Sequence, residues 1–117
     1  MIETSVAFAA GILEGEGCFS KHVRKRTGIA YSAIPCEMTD KDVVYKLFNT
    51  FKVGSVCYRE NIRKDGRNRK PSWIWSVQSK KDIIFVLEQI YNYMGERRLA
   101  KIDTIMKDLY DYFATKS

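Results

Sequence analysis

The stretch Ala9-Ala10-Gly11-Ile12-Leu13-Glu14-Gly15-Glu16-Gly17 limits the possible folds of this chain more than any other. It asks for a helix with a glycine inside it, a stop at alternating acids and glycines, and an extended run beginning Cys18-Phe19-Ser20. A glycine within a helix costs roughly 1 kcal/mol against alanine, so Gly11 points to a surface that must come very close. Ala7, Ala10, Gly11 and Glu14 recur at the spacing of one helix face. That face is nearly flat and ends in an acid. The last carbonyls of a helix carry the negative end of its dipole. Glu14 and Glu16 add charge at the same place, and Gly15 and Gly17 let the backbone turn without a Cβ in the way. Carboxylate and carbonyl oxygens, with no imidazole or thiolate, suit a hard cation such as Mg²⁺. A helix that simply stops at glycines beside two solvated acids has the same spacing.

The rest of the chain alternates between the two periodicities. Thr4 or Ser5 can cap a first helix ending near Glu14. Residues 18–25 alternate, 26–28 turn, and 29–38 read as a second strand. Thr39 with Asp42 resembles a capping box opening a helix through Phe51, whose stripe is Val43, Val44, Leu47, Phe48 and Phe51. Residues 55–62 and 72–78 read as strands about a turn at Lys64-Asp65-Gly66-Arg67. Ser79 can cap a helix reaching Met94, Gly95 breaks it, and Leu99, Ile102, Met106, Leu109 and Phe113 mark a last helix. The expected fold is therefore α+β, in the order αββαββαα, as one domain over residues 1–117. It places helices on one face of a single four-stranded antiparallel sheet and leaves the other face free.

That free face has a chemistry. Strand alternation sets Ser20, His22, Arg24 and Arg26 opposite Phe19 and Val23. It likewise sets Cys57, Arg59, Asn61 and Arg63 opposite Val56, Tyr58 and Ile62, and Ile74, Ser76 and Gln78 opposite Trp73, Trp75 and Val77. Such polar side chains read base edges and phosphates, although an ordinary solvated face alternates too. The two hairpins hold Lys21, Arg24, Lys25, Arg26, Arg59, Arg63, Lys64, Arg67, Arg69 and Lys70, half of the 20 Lys+Arg of the chain. Those 20 exceed 14 Asp+Glu, which points to a polyanionic partner. The major groove of DNA admits a β-ribbon. Trp73 and Trp75 share parity with Val77, so core packing is preferred over base stacking for them.

Other classes are disfavoured. No run reaches the length of a membrane span and no signal pattern opens the chain, so an intracellular protein without a membrane partner is expected. Cys18, Cys36 and Cys57 are odd in number and widely spaced, which suits neither a disulfide framework nor a zinc site. No small-molecule substrate is expected.

Residues 9–17 resemble the LAGLIDADG motif of homing endonucleases. Ala10-Gly11 matches its Ala-Gly, and Glu14-Gly15-Glu16-Gly17 matches its Asp-Ala-Asp-Gly, while Ala9 departs from its leading Leu. Further echoes lie in Met38-Thr39-Asp40-Lys41-Asp42-Val43-Val44, Val53-Gly54-Ser55-Val56 and Gly95-Glu96-Arg97-Arg98. The resemblance implies a site-specific double-strand DNA endonuclease whose twisted sheet lies along the groove, encoded in an intron or intein. It implies that Glu16, the second acid, holds Mg²⁺ (or Mn²⁺ or Ca²⁺) together with the Gly15 carbonyl. It also implies a basic residue after the third helix near the scissile phosphate, for which Arg97 fits best and Arg98 next. A further polar residue is implied near the end of the second strand, where spacing leaves the match open and Lys41 is the candidate.

The expected DNA contacts are Ser20, His22, Arg24, Arg26, Arg59, Asn61, Arg63, Arg67, Ser76 and Gln78. One acidic helix end per chain leaves a two-strand cut half-equipped. A homodimer through Ala7, Ala10, Gly11 and Glu14 would bring two such ends together, and its two-fold would call for a palindromic or near-palindromic target. The alternatives are a non-cutting nucleic-acid-binding protein on the same scaffold (an RNA splicing maturase or a DNA-binding regulator) and a basic structural protein. A binding module has no need of two acids at a paired surface.

Overall fold

A computed structural model describes residues 3–15, 20–23, 30–60 and 70–116, the side chains at 3, 4, 20–23, 30–32 and 116 excepted. The order is α1 (Glu3–Gly15), β1 (Ser20–Val23), β2 (Ala30–Met38), α2 (Lys41–Phe51), β3 (Ser55–Arg59), β4 (Ser72–Val77), α3 (Lys80–Ile90), a 3₁₀ turn at Tyr91–Tyr93, and α4 (Glu96–Lys116). It follows the order read from the periodicities, with shifted ends. α1 already includes Thr4 and Ser5, so neither caps it. Asp40, not Thr39, stands at the cap of α2, and neither it nor Ser79 at α3 makes a side-chain capping bond.

The four strands pair antiparallel, but in two parts and not as one continuous layer. β2, β4 and β3 form a three-stranded antiparallel layer, in which Ile34–Met38 of β2 pairs with Val77–Trp73 of β4. β1 pairs instead with the first part of β2, from Ser20↔Ala33 to Val23↔Ala30. The strand order is β1-β2-β4-β3, but β1 and β4 flank different halves of β2. The described β1 pairing stops two residues before Pro35, which has no N–H for a ladder bond. The β1–β2 ribbon thus extends the layer lengthwise.

Alternation then decides which side chains meet the helices. Ile34, Cys36, Trp75 and Val77 are buried on one face, against Val44, Leu47 and Phe51 of α2 and Ile83, Val86, Leu87 and Ile90 of α3. Leu13 of α1 and Ile102, Ile105 and Leu109 of α4 complete this core. Trp75 lies at its centre, as its parity implied. Its ring stacks on Phe51 at 5.7 Å and its indole N–H donates to the Val53 carbonyl at 3.0 Å. Trp73 is only half-buried, tilted against Tyr58 at 5.3 Å. Two tyrosines tie the helical layer together: Tyr91 donates to Asp103 at 2.8 Å and Tyr110 to Glu88 at 2.7 Å. These bonds to carboxylates, with a smaller contribution from burial, raise both phenols above 10.0.

The α2–β3 connection explains the Val53-Gly54-Ser55-Val56 stretch. Gly54 has φ +85°, and a Cβ there would stand 2.7 Å from the Ser76 carbonyl oxygen. Lys52 caps α2 in the left-handed region at φ 61°, its N–H bonded to the Phe48 carbonyl. A left-handed conformation costs an L-residue about 1–2 kcal/mol, and glycine adopts it freely. After the entropy of a more mobile unfolded chain, Lys52→Gly should stabilise the domain by about 0.5–1 kcal/mol in chemical denaturation. Destabilisation would contradict this cap.

Candidate nucleic-acid interface and catalytic centre

The acidic end of α1 is held from within the protomer. The Gly95 N–H donates to Glu14 Oε2 at 3.3 Å, across 81 residues of sequence. A Cβ on Gly95 would stand 3.2 Å from Glu14 Oε1, so the glycine permits this approach. Glu14, expected at a surface between protomers, fastens the end of α1 to the start of α4 and is half-buried. Two residues beyond Gly95 come Arg97, exposed, and Arg98, half-buried. With Ala100, Lys101 and Thr104 they line an open basic depression of about 490 Å³. Acid and base from opposite ends of the chain therefore share one neighbourhood.

Other predicted residues fall differently. Gly15 is the exposed last residue of α1, whereas Glu16 lies outside the described residues. Lys41 opens α2 and places its ammonium 5.8 Å from the ring centre of Tyr45. No described contact brings it to Gly15 or Arg97. Ala10 corrects the expected flat face: it is 0% exposed and packs in its own core. What α1 presents outward is Ala7, Gly11 and Gly15, with Phe8 beside them at 43% exposure. A Cβ added at Gly11 or Gly15 meets nothing within 4 Å. The helical cost of Gly11 is thus not repaid by packing inside the protomer.

The sheet face away from the helices is built by register. Ser20 and His22 pair with Ala33 and Tyr31, which share parity with Pro35 and Glu37, and these neighbour Ser76 and Ile74 of β4. Ser55, Cys57 and Arg59 of β3 complete the same face. Ser76 is half-buried there and Gln78 is exposed just past β4. Arg24, Arg26, Asn61, Arg63 and Arg67 lie outside the described residues, as do the side chains of Ser20 and His22.

Arg59 has a partner that the sequence reading missed. Its Nη1 donates to Glu37 Oε1 at 3.4 Å, and the buried Ser72 hydroxyl donates to Glu37 Oε2. The available signal was alternation along β2, which sets Glu37 on the polar side beside Pro35.

Among the described residues, no group of three or more His, Cys, Asp or Glu could enclose a metal.

Four helices and an antiparallel sheet in this order make up the fold that the LAGLIDADG homing endonucleases share. No protein-family model and no curated protein matches the chain. Among solved structures it is similar to the homing endonuclease I-CvuI in complex with the I-CreI target, at TM-score 0.74 and 15% identity over 92% of this chain and 67% of that one. It is similar to the group I intron-encoded homing endonuclease I-CeuI complexed with DNA, at TM-score 0.75 and 17% identity, covering 97% of this chain and 57% of that one. A third, the LAGLIDADG homing endonuclease I-GzeII with its DNA target, matches at TM-score 0.74 and 18% identity over 94% of this chain and 36% of that one. At these identities the likeness is one of fold.

Proposed function

We propose that this chain is one protomer of a homodimeric endonuclease that cuts duplex DNA at a palindromic or near-palindromic site by metal-assisted phosphodiester hydrolysis. The observation that carries this reading is the Glu14–Gly95 bond, which joins an acidic helix end to a basic helix start. Residues 16–19 alone separate that end from the polar strand face at Ser20, a reach of no more than about 18 Å. The structures of the same fold named above are complexes with DNA, one of them in the presence of 2 mM Mg with its DNA not cleaved.

In this reading the free sheet face and its hairpins hold the duplex, through the contact residues named from the sequence. The Glu16 carboxylate and the Gly15 carbonyl are the hard donors. Mg²⁺ bound there, or Mn²⁺ or Ca²⁺ in its place, supplies charge that polarises the scissile phosphate and acidifies water. Arg97, or Arg98 beside it, offsets negative charge growing on the phosphate oxygens. Lys41 is a further polar candidate. Glu14 is a positioning residue, keeping the helix end against α4. Two protomers approach through Ala7, Gly11 and Gly15, with Phe8 at the margin, so that each supplies one acidic end. The open space over Gly11 supports that close approach.

Incubating the full chain with a plasmid library and Mg²⁺ tests the activity: nicked and linear products support it. Retention of RNA or duplex without any cutting would move the assignment to a maturase or a regulator. Binding to duplex should weaken with salt, log K falling by about 0.9 per neutralised phosphate for each unit of log salt. A flat salt profile in a fluorescence-anisotropy titration would remove the electrostatic basis of the interface. Solution mass should correspond to two chains on each two-fold symmetric duplex; a persistent single chain on DNA would sink the paired-helix arrangement.

A further inference from the structure

We propose that Glu37 and Arg59 together read a single C·G base pair in the major groove, which makes Glu37 a specificity-determining residue of the interface. The inference rests on the duplex-binding reading above and assigns a base preference to one place on that surface.

A carboxylate on a face meant for phosphates needs a reason, because it repels the backbone it approaches. Glu37 is not a stray surface acid. Its Oε2 accepts from Ser72, itself 3% exposed, and its Oε1 accepts from Arg59. β2, β4 and β3 lie side by side, so the pair spans the middle strand, over Ser72 and Ile74. Both charged groups still face outward, at 58% exposure for Arg59 and 39% for Glu37. The result is one acceptor and one fork of donors, side by side, anchored on regular strands.

The only major-groove base groups that donate to a carboxylate are the exocyclic amines of cytosine and adenine. Adenine sets its N7 acceptor beside the amine, which a carboxylate meets unfavourably, whereas cytosine has no such neighbour. Arg prefers guanine, whose O6 and N7 match two of its N–H groups. In a C·G pair the cytosine amine and guanine O6 are hydrogen-bonded to each other, roughly 2.9 Å apart. Arg59 Nη1 and Glu37 Oε1 are 3.4 Å apart. Donor and acceptor on the protein thus stand at nearly the spacing of acceptor and donor on the base pair. At 3.4 Å the ion pair is longer than the 2.7–2.9 Å range usual for charge-assisted bonds, so Arg59 can turn towards guanine without losing a tight partner.

Selection from a randomised duplex pool tests this, using the full chain, Glu37→Gln and Arg59→Lys, with the enriched sequences read position by position. The wild type should enrich C·G at one position in each half-site. Glu37→Gln keeps an acceptor for Ser72 and gains a donor that suits adenine N7, so that position should change from C to A, a swing on the order of tenfold in relative affinity. Arg59→Lys loses the fork and should relax the guanine preference at the same position only. This second variant carries the test if the first does not fold. If Glu37→Gln binds every sequence more tightly by the same factor, Glu37 is only a repulsive charge and the inference is overturned while duplex binding stands. Unchanged preferences in both variants overturn it equally. If the wild type enriches no sequence, duplex recognition itself fails and takes this inference with it.

Discussion

Glu16→Gln should abolish nicking of plasmid DNA, a loss of more than about 100-fold, while duplex affinity changes little. Glutamine has nearly the shape of glutamate but carries no charge and binds a hard cation weakly. The exchange leaves Val6, Ala9, Ala10 and Leu13, the buried apolar residues of α1, as they are. Stability should therefore be unaffected, and a melting curve checks that. Loss of a single group that stabilises transition-state charge costs about 10²–10³ in rate, which sets the expected floor. Glu14→Gln is the informative control. Its amide oxygen can still accept from the Gly95 N–H, so its effect should be much smaller and should include some loss of stability. The measurement is single-turnover nicking at saturating enzyme, which separates chemistry from binding. Wild-type nicking by Glu16→Gln would remove the residue from the reaction.

The largest stability loss is expected at Trp75. Its side chain is fully enclosed, stacks on Phe51 and donates to the Val53 carbonyl. Trp75→Ala removes those contacts, opens a cavity beneath α2 and leaves the Val53 carbonyl without the indole. Truncations of this kind cost about 3–5 kcal/mol, against a total of about 5–15 kcal/mol for a typical domain. The midpoint of thermal unfolding should fall by on the order of 15 °C. Trp75→Phe keeps a ring against Phe51 and loses mainly the hydrogen bond and some volume, so it should cost about 1–2 kcal/mol. The order of the two variants matters more than either value. Equal losses would mean that the hydrogen bond, not the packing, carries the position.

Helix and strand order was legible because each segment repeats its apolar residues at a period set by backbone geometry. The stripe Val44, Leu47 and Phe51 could only be one side of a helix, and the alternation through Trp73, Trp75 and Val77 only one side of a strand. Caps were less legible. Asp40 and Ser79 stand at helix starts without making side-chain bonds, and a sequence pattern cannot tell an occupied cap from an idle one. The sheet was legible as an antiparallel set but not in its arrangement. Nothing local to residues 20–23 says that they pair with Ala30–Ala33 and leave the rest of β2 to β4.

The chain by itself determined the acids, the glycines that frame them, the excess of positive charge, and the parity of every strand residue relative to its neighbours. These are one-dimensional properties, and period alone conveys them. Tertiary structure decided three things that period cannot. It put Ala10 in the core although Ala7 and Gly11, on adjacent turns, face outward, because α1 packs on both α2 and α3 and these neighbours set where its buried stripe ends. It turned Glu14 towards Gly95, a contact between residues far apart in sequence that only chain closure creates. And it brought Glu37, Arg59 and Ser72 from three strands into one group. Hydrogen bonds reach only a few ångströms, so whether such residues meet depends on strand order and register, which the folded chain alone supplies.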